Sequence, residues 1–209
     1  MSRAFANNIS KYMVAAGTLV VIGAKFALAQ QVALSVPAQG NTSAPIGWVE
    51  FCERQPMDCA VETLRPTTFT LDEASWKDIV RINAAVNREI KPITDMEHHG
   101  VIEHWSYPED GSGDCEDYVL EKRKRLMRAG FPRQSLLITV VRDHKGDGHA
   151  VLTVKTDRGD FILDNQATKV LAWHETSYRF IKRQSEETPN RWVSLGGIDT
   201  ATVAASRRK

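Results

Sequence analysis

The hydrophobic period of this chain changes once, and that change limits the folds open to it. Up to Gly130 apolar residues recur at helical spacing; beyond Phe131-Pro132 they alternate. Trp76, Ile79, Val80, Val86 and Ile90 follow the capping-box spacing of Thr70-Leu71-Asp72-Glu73 and predict a helix that Lys91-Pro92 ends. Thr94 to Gly113 has no period and reads as an ordered loop carrying three histidines. A second helix is expected from near Asp114 to Gly130. Ser135–Arg142, His149–Thr156 and Gly159–Asn165 read as strands, the last two joined into a hairpin by Thr156-Asp157-Arg158-Gly159. Ala172–Lys182 and Arg191–Leu195 add strand candidates, and Ile46–Phe51 is an early one. Helices followed by antiparallel strands specify an α+β domain with a single core.

The ends of the chain have other characters. Arg3 and Lys11 precede an apolar run from Met13 to Ala24, and Ala27-Leu28-Ala29 supplies a small-residue cleavage site. These are the parts of a signal peptide over residues 1–29, with cleavage after Ala29. An uncleaved N-terminal anchor is the alternative, but the run is shorter than the roughly 20 apolar residues of a membrane span. Periplasmic or secreted localisation follows. Residues 30–45 are expected to be a flexible lead-in, 46–195 the folded domain and 196–209 a disordered tail. Lys and Arg (27) nearly balance Asp and Glu (26), so no global field favours nucleic acid as a partner. In an oxidising compartment Cys52 and Cys59, separated by a turn at Pro56, are suited to a disulfide; two reduced, buried thiols are the alternative. Cys115 is left over, and an odd thiol in an exported protein needs an explanation.

Its surroundings offer one. In Gly111-Ser112-Gly113-Asp114-Cys115-Glu116-Asp117-Tyr118 the glycines let the chain turn into a helix, Asp114 is a good N-cap, and Cys115 falls in the first turn. Free N–H groups and the helix dipole stabilise a thiolate there and suit an oxyanion. Lys122-Arg123-Lys124-Arg125 and Arg128 further along read as a solvated helix face. A thiolate nucleophile needs a base, and the base an orienting group. His149 opens one hairpin strand and Asp164 closes the other. An even loop pairs Thr156 with Gly159 and makes His149 and Asp164 diagonal neighbours; a three-residue loop puts them on opposite faces.

Cysteine at a helix start, then histidine and aspartate on adjacent strands, resembles the bacterial transglutaminase-like cysteine proteinases of the papain/transglutaminase fold. The resemblance runs from Trp48 to Leu195. It rests on Trp48-Val49-Glu50-Phe51-Cys52, Gly113-Asp114-Cys115-Glu116-Asp117-Tyr118, Gly148-His149-Ala150-Val151-Leu152 and Leu163-Asp164-Asn165. It implies a helix bearing the nucleophile packed on an antiparallel sheet that carries His and Asp. Cys115 would be the nucleophile, His149 the general base and acid, and Asp164 the group that orients His149. The best-understood members resemble periplasmic endoproteases that trim surface adhesins, answer to an inner-membrane receptor and use calcium. Here Asp114, Glu116 and Asp117 crowd the thiol, and their charge opposes its ionisation, which a bound Ca²⁺ would cancel. The alternative is that Asp114 only caps the helix while Glu116 and Asp117 complement its dipole.

Trp105 is a candidate for lining the substrate groove or assisting the oxyanion, and equally a core aromatic. His98, His99 and His104 have no zinc-site spacing and read as a polar loop. No organic cofactor is expected. The chemistry expected is hydrolysis of a peptide bond in an envelope or surface protein. The same residues also suit acyl transfer from a protein glutamine or cleavage of peptidoglycan stem peptides, and a silent binding module is the non-enzymatic alternative.

Overall fold

The alternating segment beyond Gly130 forms the spine of the molecule. In the computed structural model, which describes residues 34–60 and 63–199, it supplies six strands of a seven-stranded antiparallel sheet, the seventh coming from Asn41–Thr42. The strand order is β1 (Asn41–Thr42), β9 (Trp192–Asp199), β8 (Arg179–Gln184), β4 (Leu136–Arg142), β5 (Gly148–Thr156), β6 (Gly159–Leu163), β7 (Leu171–Ala172). Along β5, Ala150, Leu152 and Val154 join the larger core, whereas Val151 belongs to a second cluster with Ile162, Trp173, Phe180 and Leu195. That is the period of a strand buried on both faces.

The helices are α1 (Ile46–Arg54), α2 (Glu73–Glu89), the single turn α3 (Asp95–His98) and α4 (Cys115–Arg128). Apolar side chains of α1, α2 and α4 close the larger core, and α4 lies against both β5 and α2. The N-cap of α2 is Asp72: its carboxylate accepts the Ser75 N–H at 2.8 Å and Ser75 Oγ accepts the Asp72 N–H at 3.0 Å. The box thus lies two residues beyond the expected Thr70–Glu73. A small parallel pair, β2 (Lys91–Pro92) with β3 (Ser112–Gly113), brings the chain after α2 beside the entrance to α4. The fold is α+β, as expected.

Four expectations are corrected. Ile46–Phe51 is not a strand but the start of α1, because the Trp48 and Phe51 rings stack at 5.4 Å inside the core and outweigh their β propensity. The lead-in is fastened where it is described: β1 pairs with β9, and Ser35 Oγ and Val36 N–H each donate to Asp160 at 3.0 Å. Asp160 is fully buried and also faces Arg183 at 3.2 Å, so its carboxylate requires those donors. Nor does the tail begin at 196. β9 continues to Asp199 through Gly196 and Gly197, whose φ angles of 67° and 64° form an irregularity inside the strand. Finally, the basic run is not all solvated, since Lys122 is 0% and Arg123 2% exposed. The expected signal peptide lies outside the described residues. Cys52 and Cys59 form a disulfide that ties α1 to the 3₁₀ turn Pro56–Cys59.

Removing the carboxylate at Asp160 leaves the buried Arg183 with Glu186 alone as ion-pair partner among the described residues and releases residues 35 and 36 together. Asp160→Ala is expected to lower unfolding stability by about 3 kcal/mol, read as a shifted urea midpoint.

Candidate active site

The entrance to α4 is built by close approach. A side chain at Gly113 would collide with the Asp117 carboxylate, 2.5 Å from an ideal Cβ. Asp117 accepts the Ser106 N–H at 2.7 Å and the Asp114 N–H at 3.4 Å, which pins the preceding loop to the first turn. Cys115 opens the helix. Its Sγ accepts the Ala150 N–H of β5 at 3.4 Å and donates to Glu116 Oε2 at 2.9 Å.

The hairpin has the even register: Thr156 pairs with Gly159 and Leu152 with Leu163. His149 and Asp164 are therefore on one face, and His149 Nε2 lies 2.8 Å from Asp164 Oδ1 with both residues buried. The Tyr178 hydroxyl donates to Asp164 Oδ2, and the Gln166 N–H donates to Oδ1 at 2.9 Å. Asn87 of α2 fastens the turn from behind, donating to the carbonyls of Asp164 at 2.8 Å and Ala167 at 3.3 Å. Burial acts to raise the Asp164 carboxyl, but hydrogen bonds from His149, Tyr178 and Gln166 hold it below the usual carboxylate value. An ionised Asp164 only accepts, so Nε2 of His149 carries the proton and Nδ1 keeps its lone pair in the neutral ring. Gln166 Nε2 stands 3.4 Å from that Nδ1.

Cys115 and His149 line one cleft of about 320 Å³, together with Glu103, Trp105, Asp114 and Glu116. Among the described residues no hydrogen bond joins Sγ to the imidazole; the thiol is turned to Glu116 instead. Burial, then the charge of Glu116, push the Cys115 thiol well above its ordinary pKa. The favourable end of the α4 dipole is outweighed at this cysteine.

The acidic residues form a denser cluster than the sequence indicates. Asp95, Asp114 and Asp117 present oxygens within 4.8 Å of one another, and Asp114, Cys115 and Glu116 do the same with their ligand atoms. Burial, reinforced by Asp114, raises Glu116 to about 9, and burial raises Asp117 to about 8. Asp114 is raised for the same reason, and its buried Oδ1 has no hydrogen-bond partner among the described residues. Converging hard oxygens with one unpartnered acceptor fit a hard divalent cation. Asp95 was missed by the sequence reading. It lies about twenty residues upstream of Asp114, and the β2–β3 pairing brings the two together. Tyr178 was missed for a similar reason, whereas Gln166 lies only two residues beyond Asp164 and reaches it through its backbone N–H, which residue type does not mark.

Trp105 is 2% exposed and packs edge-on against Trp48 at 6.0 Å, so it forms a wall of the cleft from within the core. Its indole N–H is taken by Glu103 at 2.6 Å and does not point to an oxyanion as found. The loop histidines stack, His98 on His99 at 4.0 Å and His99 near His104 at 4.4 Å, and His98 pairs with Asp110 at 2.8 Å. They form no three-ligand group among the described residues.

The model of the bacterial transglutaminase-like cysteine proteinases matches residues 38–200, which include every site residue above. A solved structure of LapG from Legionella pneumophila shares the fold, aligning at 22% identity over 64% of this chain and 76% of that chain, with a TM-score of 0.50. Its calcium-bound form aligns at 21% identity over 64% and 80%, with a TM-score of 0.49. A search of curated protein sequences finds no match. The chain belongs to the bacterial transglutaminase-like cysteine proteinases, and so to the cysteine peptidases.

Proposed function

We propose that this protein is an exported endopeptidase in which Cys115 attacks a peptide carbonyl, His149 shuttles the proton and Asp164 orients His149. The observation that carries the reading is the 2.8 Å His149–Asp164 bond placed on the same cleft as a cysteine at a helix start. His149 Nδ1 accepts the thiol proton, exchanging its contact with Gln166 for one with Sγ, and the thiolate adds to the carbonyl carbon. Unsatisfied N–H groups in the first turn of α4 stabilise the resulting oxyanion. His149 then protonates the leaving amine as the tetrahedral intermediate collapses to a thioester. Water, deprotonated by His149, hydrolyses that thioester and restores the thiol. The substrate is an exposed segment of another envelope protein, under the control of an inner-membrane receptor. Among the described residues no helix is long and apolar enough to cross a membrane.

Asp95, Asp114, Glu116 and Asp117 would hold Ca²⁺. When bound it supplies positive charge that offsets the carboxylates around Cys115. With its charge offset, Glu116 no longer holds the thiol in its neutral form.

Three outcomes are expected. Cys115→Ala abolishes alkylation by iodoacetamide at the site, and His149→Ala slows alkylation of Cys115 by about a hundredfold or more at neutral pH with Ca²⁺ present. Equal rates in His149→Ala and the parent would overturn the reading, and incorporation of a labelled amine into a glutamine protein would mark a transferase instead. Ca²⁺ at a hundred times its Kd should stabilise the fold by about 2.7 kcal/mol, an effect that chelator or Asp114→Asn removes. In chelator, stability should also fall as pH rises. Glu116 and Asp117 hold protons in the fold that the unfolded chain releases, so their contribution is complete below the ordinary carboxylate pKa and is lost through about 8 to 9. Melting temperatures between pH 5 and 9 read that decline, and Glu116→Gln with Asp117→Asn should flatten it.

A further inference from the structure

Lys122 lies seven residues after Cys115 on α4, two helical turns along the same side, and the mechanism above makes no use of it. It is fully buried, and its Nζ has no hydrogen-bond partner among the described residues. The amine stands 5.8 Å from the centre of the Tyr118 ring, whose hydroxyl donates to the Ile90 carbonyl at the end of α2. From α2, Asn83 and Asn87 stand one turn apart, each with a buried side-chain oxygen that no donor meets among the described residues. The amide of Asn87 holds the carbonyl of Asp164. A buried, unpartnered amine on α4 thus lies in a helix packed on α2, and α2 carries both unmet acceptors and the amide that holds the Asp164 carbonyl.

The charged groups around it are few. Asp164 is the one whose charge acts on Lys122. Its own helix offers the Tyr118 ring, and α2 offers the uncharged carboxamides. On β5, His149 is one hydrogen bond beyond Asp164, and Lys155 is paired with Glu186. β3 has no titratable side chain, while Arg142 of β4 is exposed and donates to the Gly146 carbonyl.

We propose that Lys122 is a positioning residue for the His149–Asp164 pair, its buried amine on α4 setting the charge environment in which Asp164 faces His149. The assignment rests on the triad reading above. A protonated amine there favours the Asp164 carboxylate and disfavours a second cation on His149. Burial brings Lys122 down to about 7, against the pull of Asp164, so its charge changes near neutrality.

The test is the ring titration of His149 by NMR in histidine-labelled full-length chain, with His149→Ala identifying the resonance. Lys122→Met keeps the length of the stem and removes the amine; Lys122→Gln is the second variant. In either, the His149 midpoint should move to higher pH by about half a unit or more. An unchanged midpoint in both variants overturns the assignment, even if the melting temperature rises, because a purely structural amine would alter only stability. Failure of both variants to fold also overturns it, since the amine would then be a structural requirement. Cys115 alkylation in the parent and in His149→Ala is measured alongside at one pH. Equal rates there overturn the triad reading, while the His149 midpoints report on Lys122 separately.

Discussion

The pairing of Thr156 with Gly159 is the constraint on which the site depends. Side chains alternate along a strand, so a one-residue slip in the β5–β6 hairpin would carry Asp164 to the face opposite His149. The structure guards the register from several sides. Asp160, one residue past the turn, is held by Ser35, Val36 and Arg183. At the far end of β6, Tyr178, Gln166 and Asn87 converge on Asp164 from three separate segments. Each supplies a donor to a group that would be costly to bury without one. The buried dyad is therefore a product of the whole sheet and the helix packed behind it.

Charge at the start of α4 works against the thiol. A cysteine in a first helical turn ordinarily gains from the dipole, yet here burial and Glu116 dominate, because low dielectric strengthens the repulsion between a thiolate and a neighbouring carboxylate. Burial, reinforced by the charge of Asp114, raises the proton affinity of Glu116, and burial, reinforced by Asp114 and Asp95, raises that of Asp117. The consequence is a resting site: Sγ turned to Glu116, and the imidazole lone pair turned to Gln166. Ionisation of the thiol at such a site is sensitive to local charge, because burial leaves the neighbouring carboxylates little screened. The cluster tied to Asp117 also shapes the backbone, since the same carboxylate receives the Ser106 and Asp114 N–H groups.

Much of this was legible in the residues. The helical spacing from Trp76 to Ile90, the stop at Gly130 and the alternation after Ser135 gave the layers. The block from Gly113 to Tyr118 placed Cys115 at a helix start because glycine, an N-cap aspartate and acidic first-turn residues act through the local backbone. Other features left no local trace. Ile46–Phe51 has strand-like composition, and only the stacking of Trp48 and Phe51 in the core makes it helical. Lys122 and Arg123 look like a solvated basic run, yet folding buries both, Lys122 against the Tyr118 ring and Arg123 donating to the Leu136 carbonyl. Asp95 and Tyr178 enter the site through long-range pairing.

The sequence by itself determined the α+β layering, the position of Cys115 and the candidacy of His149 and Asp164, since period, caps and turn residues act between near neighbours. Tertiary structure alone decided which hairpin register was realised and which carboxylates meet around the thiol. It also decided which charged side chains lose their water. These depend on contacts between residues far apart in the chain, and the energy of a charge depends on the dielectric and the partners that those contacts create.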